Sequence, residues 1–349
     1  MTGTSGRTGA GRADAAAGGG ARPVRVLLSV RGPSPTTNPY VVQLARSQPA
    51  DVQVRFFTWS RGLLGRYDVL HVHWPEVLLR RAGRPARWAA RARAALLVAR
   101  LGLTRTPVLR TVHNTATHER GDVVERLLLA ALERRVRERV LLSPSTPSPA
   151  GGVVVPHGHY GDWYAGAPRA EVVPGRLLFF GLLRPYKGVD TLLAAFAGLV
   201  DESARLRVVG AAPDPALRDA VGAAAAADPR VRARLEHVDD DDLAREVSAA
   251  QLVVLPYRDL HSSGALLLAL SLGRPVLVPA TATTHELRAE VGERWVLTHD
   301  GPLGADDLAR ALAATADLEG APDLSARDWS VGGARHAEVY RRLAGRDAG

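Results

Sequence analysis

Short apolar runs alternate with segments of helical spacing along the chain, and this pattern occurs in two successive series. In the first series, apolar or alternating runs predict strands over 24–30, 52–59, 67–74, 107–114 and 151–158. Segments of about 3.6-residue period lie between them, among them an arginine-rich stretch over 78–105 and a predicted helix over 123–140. Strands that alternate with helices predict a parallel sheet covered on both faces.

The second series repeats this alternation and does not match the first in sequence. It contains apolar runs at 175–181, 204–210, 251–257 and 274–279, with helical segments such as 188–200 between them. We therefore expect an α/β chain with two doubly wound domains, the first over 23–165 and the second over 166–331. Residues 1–22 have the composition of a disordered tail. A last helix within 332–349 has no strand after it, and could cross back onto the first domain.

Composition and charge narrow the class of protein. The chain has 349 residues, no cysteine and a net charge of +9. Disulfides and thiolate metal sites are thus excluded, and no apolar run approaches the roughly 20 residues that span a bilayer. A basic chain attracts phosphates. The partner could be nucleic acid, an anionic membrane, or the diphosphate of a nucleotide or lipid.

Lys187 is the only lysine among 45 basic residues, the others being arginine. It follows Arg184 by three residues, in the loop between a predicted strand and a predicted helix. A guanidinium and an ammonium beside a helix N-terminus can bind a diphosphate. The alternative is a pair of solvated surface charges.

Ser262, Ser263 and Gly264 stand at the start of a second buried helix. Backbone N–H groups at such a position point toward an anion, and glycine lets a phosphate approach closely. Serine is also a common N-cap, so the signal alone is ambiguous. Together with Arg184 and Lys187, it predicts one phosphate site at the carboxyl edge of the second sheet.

Polar side chains cluster where two strands of the first domain end. One cluster follows the strand 67–74 and the other follows the strand 107–114, and together they comprise His71, His73, Trp74, Glu76, His113, Asn114, His118 and Glu119. His71 and His73 point the same way in a strand, which also suits a zinc ion, but no cysteine or carboxylate has matching spacing. A core histidine satisfied by backbone is the stronger reading of His71.

Several stretches resemble glycosyltransferase family 4 and related GT-B enzymes. They are "FFGLLRPYKGVDTLLAAF", "VVPHG", "HVDDDDLAREVSAAQLVVLPY", "SGALLLALSLGRPVLVP", "DVLHVHWPE" and "TVHNTATHE", and the resemblance covers about residues 24–342. It implies two Rossmann-like domains that face each other across a cleft, with a sugar nucleotide on the second and the acceptor on the first. It also implies that Arg184 and Lys187 bind the donor diphosphate, with a GDP- or UDP-sugar as co-substrate and neither cofactor nor metal.

The resemblance implies further site residues. These are His237, Val238, Asp242 and Glu286 at the nucleoside, Asn38, His73, Trp74 and Glu76 at the acceptor, and His113 and Glu119 in catalysis. Many retaining members carry two glutamates where this chain has Leu260 and Leu268. Retention and inversion of the anomeric carbon therefore both stay open. An inverting enzyme needs a base on the acceptor side.

The expected function is transfer of a hexose, with mannose favoured, from a nucleoside-diphosphate sugar to a hydroxyl of a glycan, glycolipid or small molecule. The alternative is a non-catalytic phosphate- or nucleic-acid-binding protein on the same scaffold. Nucleic-acid binding is disfavoured because aromatic residues are only 5% of the chain and no recognition motif is present. The eight arginines of 78–105 predict either a solvated helix face or contact with an anionic membrane. We expect a cytoplasmic protein, peripheral on the inner face of the membrane if that contact forms.

Overall fold

The computed structural model of the protein describes residues 22–34, 37–113, 121–258 and 264–346, which form two parallel sheets of six strands each. The strands of the first sheet are β1 (Val24–Leu28), β2 (Val52–Phe56), β3 (Val69–Val72), β4 (Val108–Val112), β5 (Val136–Leu141) and β6 (Val153–Val154). Their order is β2-β1-β3-β4-β5-β6. All of the predicted tail except Arg22 lies outside the described residues.

The second sheet has the order β12-β11-β10-β7-β8-β9. Its strands are β7 (Arg176–Phe180), β8 (Arg205–Val209), β9 (Val231–Arg234), β10 (Leu252–Val254), β11 (Val276–Pro279) and β12 (Val296–His299). In both sheets the central strands are almost fully buried, as expected for parallel sheets with helices on both faces. The α/β class predicted from the alternation is confirmed.

Helices connect the strands in each sheet. The first sheet carries α1 (Pro39–Arg46), α2 (Trp59–Leu64), α3 (Arg84–Leu103) and α4 (Val123–Glu133). The second carries α5 (Val189–Ala197), α6 (Pro215–Ala227), α7 (Asp240–Ser248), α8 (Gly264–Ser271), α9 (Ala282–Val291) and α10 (Ala305–Thr315). Short 3₁₀ helices occupy Pro75–Leu78, Pro185–Lys187 and Ser325–Arg327.

The helix predicted over 123–140 is wrong in its second half. The helix α4 ends at Glu133, and the chain then enters β5, which pairs with β4 and β6. The strand is favoured because Val140 is fully buried in the sheet, while Glu133 receives ion pairs from both Arg110 and Arg139. Sheet pairing here outweighs the helix preference of arginine and glutamate.

The last helix, α11 (Trp329–Leu343), packs against the first sheet although it follows the second in sequence. Trp329 and Tyr340 belong to the same buried cluster as Val24 of β1 and Tyr40 of α1. The helix begins at Trp329, earlier than the sequence pattern indicates, because the Trp329 ring is itself buried in this cluster. The first sheet is thus covered by elements from both ends of the described chain.

Candidate functional site

The turn after β7 positions Arg184 and Lys187. The strand ends at Phe180, and a 3₁₀ helix over Pro185–Lys187 is followed by Gly188 in the left-handed region at φ 67°. The helix α5 then begins at Val189. A side chain at Gly181 would meet the ammonium of Lys187 at 3.3 Å, so Lys187 lies against the backbone at the end of the strand.

Lys187 is an unusual cation in this turn. Its ammonium lies 5.3 Å from the centroid of the Tyr257 ring. Burial lowers the pKa of Lys187, and together with the nearby charge of Arg184 it brings this pKa to about 8. No carboxylate of the described residues forms an ion pair with Lys187 or Arg184. Two like charges held together without a counter-ion favour an anionic ligand.

The segment before α8 is attached to the same turn. The backbone N–H of Arg258 donates to the carbonyl of Tyr186 at 2.8 Å, and the backbone of Gly188 lies directly against the carbonyl of Pro256. Gly264 is the first residue of α8, and Ser262 and Ser263 lie outside the described residues. Residues 256–258, which precede the second predicted phosphate-binding segment, therefore contact the turn of Arg184 and Lys187, while the serines stay a prediction.

The predicted nucleoside residues lie in different surroundings. His237 is exposed and Val238 is half-buried in the connection from β9 to α7. Asp242, in the first turn of α7, accepts hydrogen bonds from Arg234 at 2.7 Å and Arg245 at 3.0 Å. These two guanidiniums satisfy the carboxylate of Asp242 and give it a role in holding α7, while its role at the nucleoside stays a prediction.

Glu286 of α9 contacts the first domain. Its carboxylate accepts from the hydroxyl of Ser143 at 2.5 Å and from that of Ser145 at 3.2 Å, and the Ser145 hydroxyl lies 2.8 Å from that of Thr283. Ser143 and Ser145 follow β5, at the carboxyl edge of the first sheet. The predicted nucleoside residue is thus hydrogen-bonded across the two domains, a contact that the sequence did not indicate.

His73, His113 and Trp74 meet at the carboxyl ends of β3 and β4. Nδ1 of His73 lies 3.1 Å from Nε2 of His113, and the Trp74 ring stacks on His113 with centroids 4.4 Å apart. Burial lowers the pKa of His113 well below its usual value, and the His73 ring contributes to the same shift. Burial likewise lowers the pKa of His73. Both rings are therefore neutral at pH 7, and a neutral imidazole can accept a proton.

His71 is a structural residue of the core. One ring nitrogen lies 2.7 Å from the Tyr340 hydroxyl and the other lies 2.7 Å from the Thr111 hydroxyl. The prediction that backbone groups are the hydrogen-bond partners of this buried histidine is wrong, because both partners are side-chain hydroxyls. Within the parts of the chain that the structure describes, no group of three or more His, Cys, Asp or Glu side chains has an arrangement that could hold a metal ion.

The other predicted acceptor residues lie on either side of this cluster. Asn38 caps α1, since its side-chain oxygen accepts from the backbone N–H of Tyr40 at 3.0 Å. Glu76 lies half-buried in the 3₁₀ helix that follows Trp74. Glu119, the second predicted catalytic residue, is outside the described residues, as are Asn114 and His118.

Three aromatic residues complete the cluster and were missed from the sequence. The Tyr40 ring lies 5.2 Å from His113 and 4.6 Å from His157, and the Trp329 ring lies 5.3 Å from Tyr40, all between centroids. Burial lowers the pKa of His157 to about 4. His157 stands in "VVPHG", a stretch that resembles the family, and this was the one available signal. Nothing local predicts that Trp329 reaches this point.

The comparisons with known proteins agree with this geometry. A model of the family "Glycosyl transferases group 1" matches residues 174–317. The GDP-mannose:glycolipid 4-beta-D-mannosyltransferase of Xanthomonas campestris pv. campestris is 45% identical over 327 residues, which are 93% of this chain and 94% of that protein. A relative of this similarity and coverage shows the family.

Solved structures with low sequence identity show the same fold. The Anabaena HepE structure with UDP-glucose is 13% identical, has a TM-score of 0.58, and matches 92% of this chain and 98% of its own. WaaG, a glycosyltransferase of lipopolysaccharide biosynthesis, is 16% identical with a TM-score of 0.53, over 93% of this chain and 100% of its own. The predicted GT-B architecture and the predicted transferase class are confirmed, and the chain belongs to the group 1 glycosyltransferases.

Proposed function

We propose that the protein transfers mannose from GDP-mannose to a hydroxyl group of a glycolipid. The observation that carries the proposal is the 45% identity, over 93% of the chain, to the Xanthomonas enzyme whose name states this donor and this acceptor class. The sequence had favoured mannose without naming one acceptor. The adjacent cations Arg184 and Lys187 in the second domain, and the histidine pair in the first, support this proposal.

Lys187 and Arg184 would hold the donor diphosphate. They lie in one turn at the carboxyl edge of the second sheet, where no described carboxylate pairs with them, and Gly181 lets the Lys187 ammonium lie against the end of the strand. As GDP leaves, the negative charge on its diphosphate grows, and these two cations stabilise that charge. Chain residues therefore suffice for the leaving group, and we propose that no metal or cofactor takes part.

The reaction would invert the anomeric carbon. A β-mannoside formed from the α-linked mannose of GDP-mannose requires attack from the opposite face, with a base to accept the proton of the acceptor hydroxyl. His113 is neutral, half-buried and held by His73, so we propose that it accepts this proton while the oxygen bonds to C1 and the bond from C1 to GDP breaks. Trp74 stacks on the His113 ring and would contact the acceptor sugar beside it.

Donor turnover in water tests the first part of the proposal. Purified protein is incubated separately with GDP-mannose, GDP-glucose, UDP-glucose and UDP-galactose, and release of the nucleoside diphosphate is measured. We expect GDP-mannose to be hydrolysed fastest, and Lys187→Ala to lose this hydrolysis while Arg66→Gln, an exposed arginine before β3, retains it. Faster hydrolysis of a UDP-sugar would contradict the assignment of GDP-mannose as the donor. NMR of a glycolipid product would test the β linkage.

We also propose that the outer face of α3 contacts an anionic membrane. Trp88, Leu96 and Leu103 are 56%, 60% and 86% exposed. They share one face of the helix with four exposed alanines: Ala89, Ala92, Ala95 and Ala99. The opposite face packs into the domain through Ala94, Leu97 and Leu101. The helix is thus apolar on two faces.

The arginines of this region divide between structure and surface. Arg91 is buried and forms an ion pair with Asp122, and Arg100 donates to the Tyr67 hydroxyl at 2.5 Å. Arg84 and Arg93 are exposed beside the apolar face. An apolar stripe with tryptophan, bordered by arginines, is typical of helices that lie at a membrane interface. No described helix is long and apolar enough to cross a bilayer.

Flotation with liposomes tests this contact. The triple variant Trp88→Ser, Leu96→Ser, Leu103→Ser should lower the fraction bound to anionic vesicles at least about tenfold, since each exposed apolar side chain contributes about 1.5–3 kcal/mol when buried. Val200→Ser is the control, because Val200 is 90% exposed on the second domain. Equal flotation of the triple variant and wild type would exclude membrane contact through this face of α3. If the wild type forms concentration-dependent dimers that the triple variant does not form, the face would instead bind a second copy of the chain. The cytoplasmic location stays a prediction.

A further inference from the structure

A cavity of about 290 Å³ lies at the carboxyl ends of β1 and β2, on the acceptor side of the protein. Its wall is mostly apolar, and the side chains that form this wall are Phe57, Trp59, Val77 and Leu78. Phe57 and Trp59 pack edge to face with centroids 5.1 Å apart, which fixes one side of the cavity. This volume falls at the small end of the range for sites that hold a sugar ring or a short chain segment.

Two arginines, Arg31 and Arg81, line the same cavity. The guanidinium of Arg81 donates to the carbonyls of Val77 at 3.0 Å and Arg80 at 2.7 Å, and Arg31 is exposed. Neither forms an ion pair with a carboxylate of the described residues. Burial lowers the pKa of Arg81, and the neighbouring charge of Arg31 lowers it further. The two cations therefore destabilise each other in the unliganded protein.

Several buried or half-buried arginines of this domain are neutralised by carboxylates, unlike the pair in the cavity. Arg80, the residue before Arg81, forms an ion pair with Glu125 at 2.8 Å. Arg25 pairs with Asp68 at 3.1 Å, and Arg91 pairs with Asp122 at 2.7 Å. Two unneutralised guanidiniums beside an apolar wall fit a ligand that has an oxyanion next to an apolar body.

The cavity adjoins the proposed reaction site. Ser29 lines it, and the Ser29 hydroxyl accepts from the backbone N–H of His73 at 3.2 Å. The wall residues Val77 and Leu78 belong to the same 3₁₀ helix as Glu76, directly after Trp74. A molecule bound in the cavity would therefore extend toward the His73–His113 pair.

We infer that this cavity binds the oxyanion of an acidic acceptor, with Arg31 and Arg81 on the anion and the aromatic wall on the body that carries it. Only the identification of this ligand as the acceptor rests on the proposed function. The oxyanion could be the phosphate of a lipid anchor or the carboxylate of an acidic sugar, because both accept bidentate hydrogen bonds from guanidiniums.

Three probes that differ only in the head group distinguish these sources. Octyl phosphate, octyl β-D-glucuronide and neutral octyl β-D-glucoside are titrated into the full-length protein by calorimetry, below their micelle concentrations and without donor. We expect at least one charged probe to bind about tenfold or more tightly than octyl glucoside, since charge-assisted hydrogen bonds are worth about 1.5–3 kcal/mol. Octyl glucoside measures binding to apolar surface in general, including that of α3.

Variants locate the binding. Arg31→Gln and Arg81→Gln should each remove most of the preference for the charged probe. Arg66→Gln should keep this preference, because Arg66 precedes β3 and lies at the amino-terminal end of that strand. The probe that shows the preference identifies the source of the oxyanion. Equal binding of all three probes, or an unchanged preference in both cavity variants, overturns the inference. Because no donor is present, a protein that proves inactive on GDP-mannose still gives a decisive result.

Discussion

The imidazole rings of His73 and His113 share a hydrogen bond, with Nδ1 of His73 3.1 Å from Nε2 of His113. His73 is buried and His113 is half-buried, and their lowered pKa values keep both rings neutral, so one must donate and the other must accept. The tautomer of one ring therefore fixes that of the other. Since Trp74 also stacks on His113, the orientation of this ring is set before any substrate binds. His73 is thus a positioning residue for the proposed base.

Removing the base should affect kcat more than the acceptor KM. We expect His113→Ala to lower kcat with GDP-mannose and a glycolipid acceptor by about 10²–10⁴-fold, the usual contribution of general base catalysis. His73→Ala should cause a smaller loss, of about tenfold, and should change the pH dependence of kcat because the partner of His113 is gone. Steady-state kinetics from pH 5 to 9 measure both effects. A His113→Ala enzyme with wild-type kcat would exclude His113 as the base.

The depressed pKa of Lys187 predicts that donor affinity falls at alkaline pH. The free ammonium titrates at about 8, and a bound diphosphate favours its charged form, so the pKa is higher in the complex. Affinity is then full below pH 8 and is lost as the pH rises through the free pKa. We expect the dissociation constant of GDP-mannose to rise about tenfold from pH 7 to pH 9.

The Lys187→Arg variant is the control for this titration, because arginine stays charged over the whole range. Its dissociation constant should vary much less with pH, and any remaining change belongs to the nucleotide or to other groups. Identical pH profiles for wild type and Lys187→Arg would show that the ammonium does not contact the donor.

Gly188 carries the backbone geometry of the turn that holds Arg184 and Lys187. It has φ 67°, and an added Cβ would lie 2.1 Å from the carbonyl oxygen of Pro256. Gly188→Ala should lower the free energy of unfolding by more than about 1–2 kcal/mol, the cost of the left-handed region alone. Gly222→Ala in α6 is the matched control, since its Cβ meets no atom within 4 Å and should stabilise the helix by about 0.5–1 kcal/mol. Urea denaturation compares the two, and equal stabilities would refute the clash.

Tyr340 should contribute to stability through its hydroxyl. Tyr340→Phe keeps the ring and leaves Nδ1 of His71 without its partner, so the free energy of unfolding should fall by about 1–3 kcal/mol. Thr111→Val removes the other partner of His71 and should have an effect of similar size. Thermal and urea denaturation measure both variants. If neither variant loses stability, the buried hydrogen bonds of His71 make no net contribution.

The parts of the site that were predicted from the sequence are local in the chain. Arg184, Lys187 and the start of α5 lie within six positions of one another, so strand, turn and helix signals were enough to place them at one edge of the sheet. His71 and Tyr340 are 269 positions apart, and no periodicity relates them. The same limit applies to Glu286, whose serine partners belong to the other domain.

Two other differences have a common physical origin. The segment of β5 contains residues that favour helices, and its strand conformation depends on pairing with β4, which local propensity does not report. Asp242 matches a family position, yet no pattern in the sequence indicates that Arg234, eight residues away, satisfies its carboxylate. In both cases the neighbour that decides the outcome is brought close only by the tertiary fold.

The return of α11 to the first sheet has a consequence for synthesis. Trp329 and Tyr340 fill the interior beside Tyr40 and Val24, so the amino-terminal half lacks part of its own core until α11 leaves the ribosome. While the second half is being translated, the amino-terminal half has an unfilled apolar groove. Completion of the first domain therefore follows translation of α11, and a transcript cut short before residue 329 yields a nascent polypeptide that is incomplete in its earliest-made part.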